Sequence, residues 1–248
     1  DGMSIGTRGA ETFKDSELRA KGLRYEKMIP ERKWRMLYDG DLVRLDGGTG
    51  EKVRVSMQLD FDALHPIFNY RECVSEEGVR MSKKTASEHT EQYGRVSGRL
   101  DIGGTQLRID ALGERDHSWG PRDWTAPRFW LWVTCQFNEG YAFNITKLEM
   151  DKGEVDAGFL FMDGQNIPIV KVDIAKELHA DGSPSELYMA MYDAEGNVYG
   201  IKGVTKHKAM LRFDGEDKKH HAVMWETLTK FKLDDEVGYG IAEYLFRM

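Results

Sequence analysis

Residues 53–60 read VRVSMQLD and alternate strictly between apolar and polar side chains. Successive side chains of a β-strand point to opposite faces, so a period of two places one face inward and one in water. One buried and one solvated face is typical of antiparallel sheets. The stretch therefore predicts a strand of an antiparallel sheet.

The same period of two returns further along the chain, in residues 107–111 and 187–191. Asp-Gly and Gly-Gly pairs recur between such segments and predict tight turns. Together these patterns predict about a dozen short strands and almost no amphipathic helix. The fold class is therefore all-β, built from antiparallel sandwiches or up-and-down barrels. The polar residues 1–22 are expected to form an arm or loop, with at most a short helix around Phe13–Lys21.

Residues 129–133 read FWLWV and are apolar on both faces of the predicted strand. A strand of this kind has to be covered on both sides. We expect the core of a barrel on one side and a second domain or a loop on the other.

Composition and charge exclude several classes of protein. The chain is 40% hydrophobic with a formal net charge of −7, so it can build a core but offers no general basic face for nucleic acid. No run of about 18 apolar residues predicts a membrane span, and residues 1–13 lack the order of a signal peptide. Cys73 and Cys135 favour two thiols in a reducing compartment over one disulfide. A cytoplasmic location is expected.

Several common catalytic and metal-binding motifs are missing from the sequence. GxSxG, HExxH and GxGxxG do not occur, so hydrolase, zinc-protease and dinucleotide-binding functions lack support. His220 and His221 are adjacent and would point to opposite faces of a strand, which is a poor geometry for one metal ion.

The densest group of chemically able side chains is RDHSWGPRDW, residues 115–124. Its Gly-Pro step predicts a bend between the two charged halves. Asp116 next to His117 suggests a carboxylate–imidazole acid/base pair, although neighbours in a strand need a bulge to cooperate. The strand phase places His117 and Trp119 on one face, where they would line a cavity together.

The charged residues of this stretch have two interpretations. Beyond the bend, Arg122 and Asp123 can pair with Asp116 and Arg115 and fix the loop. In the first interpretation these groups serve a catalytic site. In the second they form an ion-pair latch between two β units, with the tryptophans as core.

Two further residues outside the motif have open roles. His89 lies in SEHTEQYG together with Tyr93, just before the strand that leads to the motif, as a polar aromatic near the predicted mouth. Glu243 has apolar neighbours in a strand. It is either an ordinary outward-facing residue or a buried partner for Arg115 or Arg122.

These segments resemble the hydroxyneurosporene synthase (carotenoid hydratase)-like superfamily of tandem lipocalin-like proteins, which includes AttH-like proteins. The matching segments are the hairpin DIGG, the strand TQLRIDALG, the D-H-x-W-G element and the aromatic strand RFWLWVTCQF. The D-H-x-W-G element consists of Asp116, His117, Trp119 and Gly120. Residues 22–43 resemble the middle of the first barrel of such proteins, and residues 237–247 resemble their closing strand.

The resemblance implies two packed antiparallel lipocalin-like barrels with a hydrophobic ligand cavity near their interface. We place a partial N-terminal domain with its linker at residues 1–92 and a C-terminal domain at residues 93–248. A short first barrel fits a chain truncated at its N-terminus. In the hydratases of this superfamily an acid protonates an isolated carbon–carbon double bond, and water captures the cation. Their carboxylate is expected about one strand beyond the motif, where this chain has YAFNITK.

The first functional hypothesis is a cofactor-independent acid/base enzyme of the hydratase, dehydratase, isomerase or cyclase type. The expected ligand is a hydrophobic isoprenoid-like or polycyclic small molecule. We expect no nucleic-acid partner, no transmembrane segment and no metal. A homodimer is compatible with the sequence. The groups that would move protons are Asp116, His117 and Asp123. The residues that would contact the substrate are Trp119, Trp124, Arg115, Arg122, Trp130, Trp132 and Tyr93. The second hypothesis is a non-catalytic lipocalin-like carrier.

Overall fold

The computed structural model describes residues 12–14, 17–44, 50–72, 88–119, 123–215 and 220–248. In these ranges the regular structure is β-strand except for one short 3-10 helix, Tyr70–Glu72. The all-β prediction is confirmed. Sixteen strands are present in the described residues, more than the dozen expected. No helix in the described ranges is long and apolar enough to cross a membrane.

The first sheet is a curled half barrel of eight antiparallel strands in the described residues. The strands are β1 (Thr12–Lys14), β2 (Glu17–Ala20), β3 (Leu23–Ile29), β4 (Lys33–Val43), β5 (Lys52–Ala63), β6 (Phe68–Asn69), β7 (Glu88–Ile102) and β8 (Thr105–Trp119). Their order is β1-β2-β3-β4-β5-β7-β6, and β8 also pairs with β7.

The other eight strands close into an antiparallel barrel. They are β9 (Phe129–Asn138), β10 (Tyr141–Met150), β11 (Gly153–Met162), β12 (Gln165–Leu178), β13 (Pro184–Asp193), β14 (Val198–Asp214), β15 (His221–Leu233) and β16 (Glu236–Arg247). Seven hairpin connections join them in chain order, and β16 pairs with β9 to close the ring.

Contacts between Cα atoms group the chain into two units whose residues are not consecutive. In the described ranges, the barrel unit contains residues 68–72, 88–91, 116–119, 123–215 and 220–248, and the sheet unit contains residues 12–14, 17–44, 50–67 and 92–115. The first four residues of β7 and the last four of β8 therefore belong to the barrel unit. This grouping differs from the sequential division at residue 92, which stays a prediction.

The interior of the barrel is one apolar core to which all eight of its strands contribute. Leu131 and Val133 of β9 point into it, whereas Trp130 of the same strand belongs to a second buried cluster on the outer face. The loop residue Trp124 packs against that outer cluster. The FWLWV strand is therefore covered on both faces, as predicted, by the barrel core and by a loop.

The alternating stretch VRVSMQLD forms β5 of the sheet unit, as predicted. Val55 is 2% exposed, and the polar residues on either side of it are exposed. The alternation of residues 107–111 also forms a strand, β8, but Leu107 remains 43% exposed. The period of two therefore predicted both strands correctly. The apolar face that it predicted to be buried is buried at Val55 of β5 but not at Leu107 of β8.

The expectation of an arm or a short helix before residue 22 is wrong for its described part. Residues 12–14 and 17–20 are the antiparallel strands β1 and β2, and Leu18 of β2 stands opposite Tyr25 of β3. The β2–β3 turn has positive φ at Lys21 and Gly22 (44° and 86°). Glycine adopts such angles without steric cost, so this short turn can close a hairpin.

Candidate functional site

A polar cluster covers the outer wall of the barrel where β7 begins. His89 and Glu91 are two residues apart on β7, so both side chains point to the same face. Trp132 of β9 lies on the outer face of the barrel, because its neighbours Leu131 and Val133 point into the core. The three side chains meet at this wall and all belong to the barrel unit.

Glu91 is the centre of the cluster and its side chain is fully buried. Its Oε1 accepts the indole N–H of Trp132 at 3.1 Å and lies 2.6 Å from Nε2 of His89. An ionised carboxylate is only an acceptor, so we assign the imidazole proton of this bond to Nε2 of His89. A buried carboxylate is costly unless it is hydrogen-bonded, and both of these donors reach its Oε1.

Two neighbours fix the imidazole ring of His89. The ring of Tyr70 stacks on it with centroids 4.4 Å apart and planes 11° apart. The hydroxyl of Tyr70 donates to Oδ1 of the buried Asn144 on β10. Phe68, two residues earlier, packs on Phe159 of β11 at 4.3 Å. The segment 68–72 is therefore anchored to the barrel wall and holds the imidazole in one plane.

The second ring nitrogen of His89 is available for chemistry. Nδ1 makes no hydrogen bond with any residue in the described ranges, and the side chain is 13% exposed. A carboxylate that holds one imidazole nitrogen sets the tautomer and orientation of the ring, as in serine-protease triads. The arrangement can therefore accept or release a proton at Nδ1.

Asp116 is the third charged member of the cluster. Its Oδ1 lies 3.4 Å from Nε2 of His89, and its side chain is 42% exposed. One donor atom each from His89, Glu91 and Asp116 lie within 4.8 Å of one another, so the set could hold a divalent cation. Ligands of one Zn²⁺ ion at 2.0–2.2 Å would stand roughly 3 Å apart. The 2.6 Å contact in this cluster is instead that of a direct hydrogen bond.

The D-H-x-W-G element lies at the end of β8, beside this cluster. Asp116 contacts the imidazole of His89 on the neighbouring strand β7. The sequence had suggested a pair with the adjacent His117. The rings of His117 and Trp119 contact each other at 4.7 Å, in agreement with the shared face that the strand phase predicted. Thr90 donates to the carbonyl of His117 at 3.2 Å and ties β8 to β7.

The charged latch around the bend stays a prediction, and its members in the described residues have the following contacts. Asp123 accepts hydrogen bonds from the backbone N–H and the hydroxyl of Thr125 at 3.0 and 2.8 Å. Arg115 belongs to the sheet unit, where its guanidinium lies 5.3 Å from the ring centroid of Trp34. Arg122 lies outside the described residues. A role of Asp123 as a second acid remains a prediction.

The predicted aromatic residues separate into different environments. Trp124 stacks on Trp130 at 5.4 Å and on Phe213 at 5.0 Å, so both tryptophans are part of the outer apolar cluster. Trp132 contacts the polar cluster through Glu91. Tyr93 is 1% exposed in the sheet unit, with its backbone N–H donated to Nε2 of His65 at 2.9 Å. Only Trp132 of these residues joins the polar cluster.

From the sequence, His89 was expected near the mouth of the cavity without an assigned role, and Glu91 was not predicted to be a site residue. A signal was present, because HTE has an imidazole and a carboxylate at strand spacing on one face. The sequence also left Glu243 with two options, an exposed residue or the partner of an arginine. The strand register places Glu243 on the outer face of the barrel, opposite Glu226 on β15, and its pairing with an arginine stays a prediction.

A depression of about 610 Å³ lies on another part of the barrel. It is lined by residues of β12, β13, β14 and the end of β15, among them Asp173, Tyr188 and Lys202, and by none of the polar cluster. Lys202 pairs with Glu186 at 2.9 Å, and Asp173 pairs with Lys171 at 2.8 Å. Asp173 and Lys202 are thus held in exposed ion pairs, and we assign the candidate site to the buried chemistry around His89.

One sequence family accounts for nearly the whole chain. The family described as a domain of unknown function, DUF7064, matches residues 7–247. The chain belongs to the DUF7064 family. No curated protein matches this DUF7064 member.

Two solved structures resemble this DUF7064 member in fold. A protein described as an AttH from Nitrosomonas europaea has a TM-score of 0.61 at 12% identity, over 92% of this chain and 69% of that chain. The structure of CghA with Sch210972 has a TM-score of 0.55 at 11% identity, over 93% of this chain and 70% of that chain. At such low identity the likeness shows the fold alone. The fold is that of the AttH-like, lipocalin-like proteins.

Proposed function

We propose that this protein is an acid/base enzyme that moves a proton on a hydrophobic small molecule, with His89 as the proton-exchanging group. The observation that carries the proposal is the buried Glu91 bonded to Nε2 of His89, which leaves Nδ1 to the substrate. Positioned general acids and bases of this kind contribute roughly 100- to 10,000-fold to a rate.

The neighbouring residues have supporting roles in this proposal. Glu91 fixes the imidazole tautomer, and Trp132 holds that carboxylate in place through its indole N–H. Tyr70 keeps the ring plane. Asp116, whose side chain is 42% exposed, is a second carboxylate near Nε2 of the same ring.

The substrate class follows from the surroundings of the cluster. His117 and Trp119 form a ring pair at the end of β8, in which His117 is partly buried and Trp119 is 49% exposed. Aromatic faces suit an apolar ligand and can stabilise a cationic intermediate. The likeness of the D-H-x-W-G segment to carotenoid hydratases supports an isoprenoid-like or polycyclic alkene. The reaction types that fit are hydration, dehydration, isomerisation and cyclisation.

A hydrogen-exchange assay tests the function without knowledge of the product. The protein is incubated in D₂O with farnesol, lycopene and cholesterol, and with any lipid-like material that native mass spectrometry finds carried through purification. Deuterium entering the carbon skeleton, or a new product, is followed by mass spectrometry. We expect His89→Gln to reduce the rate by roughly 100-fold or more, and the exposed His207→Gln on β14 to leave it unchanged.

Two results would contradict the proposed enzymatic function. If the wild-type protein binds a lipophilic compound but His89→Gln exchanges deuterium at the same rate, then the imidazole does no chemistry. If binding persists with no exchange at all, a lipocalin-like carrier is the better description.

A repeat of the exchange assay after EDTA treatment, with Zn²⁺ or Mn²⁺ added back, reports whether the His89, Glu91 and Asp116 set needs a cation.

A further inference from the structure

The outer face of β9 carries a buried amide whose hydrogen bonds are not made within the described residues. Trp132, Thr134 and Gln136 alternate with core residues of this strand, so their side chains point away from the barrel core. Gln136 is 9% exposed, and its Oε1 is enclosed without a hydrogen-bond partner in the part of the chain that the structure describes. Burial of an amide in this state costs free energy, so a partner from outside the protein is indicated.

The strands on either side do not supply the missing donor. The residues directly opposite Gln136 are Ala142 of β10, which has no polar side-chain atom, and Tyr239 of β16, which is 57% exposed. Trp132, four residues earlier on the same face, uses its indole N–H for Glu91. The enclosed carbonyl oxygen of Gln136 is an acceptor, so its missing partner has to be a donor.

The chemistry of that donor narrows the class of ligand. An ammonium group would carry a charge into a buried position, which is costly without a counter-charge. A ketone or ether oxygen only accepts hydrogen bonds and cannot pair with a carbonyl oxygen. A hydroxyl group is neutral and donates, and a hydrophobic molecule can carry one at its end. The buried amide therefore fits a hydrophobic alcohol.

The distance along β9 relates this amide to the polar cluster. A β-strand rises about 3.3 Å per residue, so Gln136 and Trp132 stand about 13 Å apart on the same face. Trp132 bonds to Glu91, and Glu91 holds the imidazole of His89. A molecule that lies along this face with its hydroxyl at Gln136 would bring carbon atoms remote from that hydroxyl to the imidazole.

We propose that Gln136 binds the hydroxyl group of a hydrophobic alcohol, and that this contact selects both the substrate and the double bond that reacts. This assignment rests on the proposed function. It makes the substrate an isoprenoid-like or polycyclic alcohol rather than a hydrocarbon. The reacting double bond lies at the end of the molecule away from the hydroxyl.

Equilibrium binding, followed by quenching of tryptophan fluorescence, tests the contact without any turnover. The probes are farnesol, its methyl ether and farnesene, which share one hydrocarbon skeleton. We expect the wild type to bind farnesol roughly 10-fold more tightly than the other two, as the gain of one hydrogen bond allows. Gln136→Leu should bind all three alike. Thr146→Val is the matched control and should keep the preference, because Thr146 lies opposite Trp132 on the same face with its Oγ1 also enclosed and without a partner in the described residues.

Urea unfolding separates recognition from a structural role of the amide. Without ligand, Gln136→Leu loses no hydrogen bond that the described residues make, so we expect it to be at least as stable as the wild type. Gln92→Leu is the comparison and should be less stable, because Gln92 is 1% exposed and its amide donates to the carbonyls of Glu31 and His65 at 2.8 Å. A large loss of stability in Gln136→Leu would overturn the proposal, since the amide would then have a partner within the protein.

Deuterium exchange tests the orientation of the substrate. In the D₂O assay we expect label in farnesol at the double bond furthest from the hydroxyl, and label at the nearest double bond would contradict the proposal. We expect Gln136→Leu to raise KM for farnesol roughly 10-fold with little change in kcat.

The binding results also decide between this proposal and the proposed function. Equal binding of farnesol and its methyl ether by the wild type would overturn the role of Gln136 and leave that of His89 intact. A preference that persists in Gln136→Leu, or that is lost in Thr146→Val, would overturn it as well. Wild-type exchange by His89→Gln would instead reject the proposed function, while the preference for the hydroxyl in binding would remain.

Discussion

The indole Nε1 of Trp132 donates a hydrogen bond to Oε1 of Glu91 at 3.1 Å. Forty-one residues separate the two in sequence, and the bond connects the outer wall of the barrel to the start of β7. It provides a donor to one oxygen of a carboxylate that has no solvent access. Because the same oxygen contacts His89, this bond links the stability of the wall to the position of the imidazole.

Trp132→Phe removes that donor and keeps an aromatic ring at the position. A buried acceptor that loses a partner costs about 1–3 kcal/mol, so we expect the free energy of unfolding in urea to fall by about that amount. Trp130→Phe on the same strand is the matched control, because its Nε1 is buried without a hydrogen-bond partner in the described residues. Equal losses in the two variants would mean that ring size, and not the bond to Glu91, sets the cost.

Tyr70 has two separable functions. Tyr70→Phe removes the hydroxyl that donates to Asn144 and keeps the ring on His89, so we expect a loss of about 1–3 kcal/mol in stability with little effect on proton exchange. Tyr70→Leu also removes the stack, and we expect it to slow exchange in the D₂O assay as well. An equal effect of both variants on exchange would contradict a role of the ring plane.

His65 makes the sheet unit sensitive to acid. Its Nε2 accepts the N–H of Tyr93 at 2.9 Å, so Nδ1 carries the proton and donates to the carbonyl of Pro66 at 2.6 Å. Burial lowers the pKa of His65 from 6.5, against the opposing effect of the bond to Pro66. The unfolded chain therefore takes up a proton first as pH falls below about 6.5, and stability is lost from there downward, by at most about 1.4 kcal/mol per pH unit.

The measurement for this prediction is urea unfolding at several pH values between 7.5 and 5. We expect His65→Gln to be less stable at pH 7.5 but to lose less stability on acidification than the wild type. The exposed His207→Gln is the control and keeps the wild-type slope. A His65→Gln slope that matches the wild type would show that other groups cause the acid sensitivity.

Asp156 supports a buried cation inside the barrel. Its carboxylate accepts hydrogen bonds from Nζ of Lys147 at 2.9 Å and from the backbone N–H of Val172 at 2.8 Å. The side chains of Asp156 and Lys147 are 10% and 9% exposed. Burial lowers the pKa of Lys147, but Asp156 and Glu154 outweigh it and leave that pKa raised. Removing one partner of a buried pair costs about 3–5 kcal/mol.

We expect Asp156→Asn to lose about 3 kcal/mol, the lower end of that range, because Glu154 remains 3.3 Å from Nζ of Lys147. Urea unfolding measures the loss. The comparison variant is Asp173→Asn, whose pair with Lys171 is exposed and screened by water, and which is expected to change little. A small loss in both variants would mean that water reaches Lys147.

Much of the fold could be predicted from local patterns. The alternation in β5 and β13 and the doubly apolar β9 gave strands with the expected buried faces. The patterns failed at β1 and β2, where polar residues form strands because neighbouring strands supply the hydrogen bonds. They also predicted that Leu107 is buried, whereas it is 43% exposed. Alternation predicts which side chains lie on the same face of a strand, but it does not predict whether another element covers that face.

The sequence by itself determined the strands, the two covered faces of FWLWV and the shared face of His117 and Trp119, because these depend on the period-two geometry of a strand. Only the tertiary structure decided that Asp116 meets His89, that Glu91 is buried against Trp132 and that Glu226 meets Glu243. The physical reason is register, since a slip of one residue between strands turns every side chain to the other face. Closure of the barrel between β9 and β16 fixes that register for residues more than a hundred positions apart.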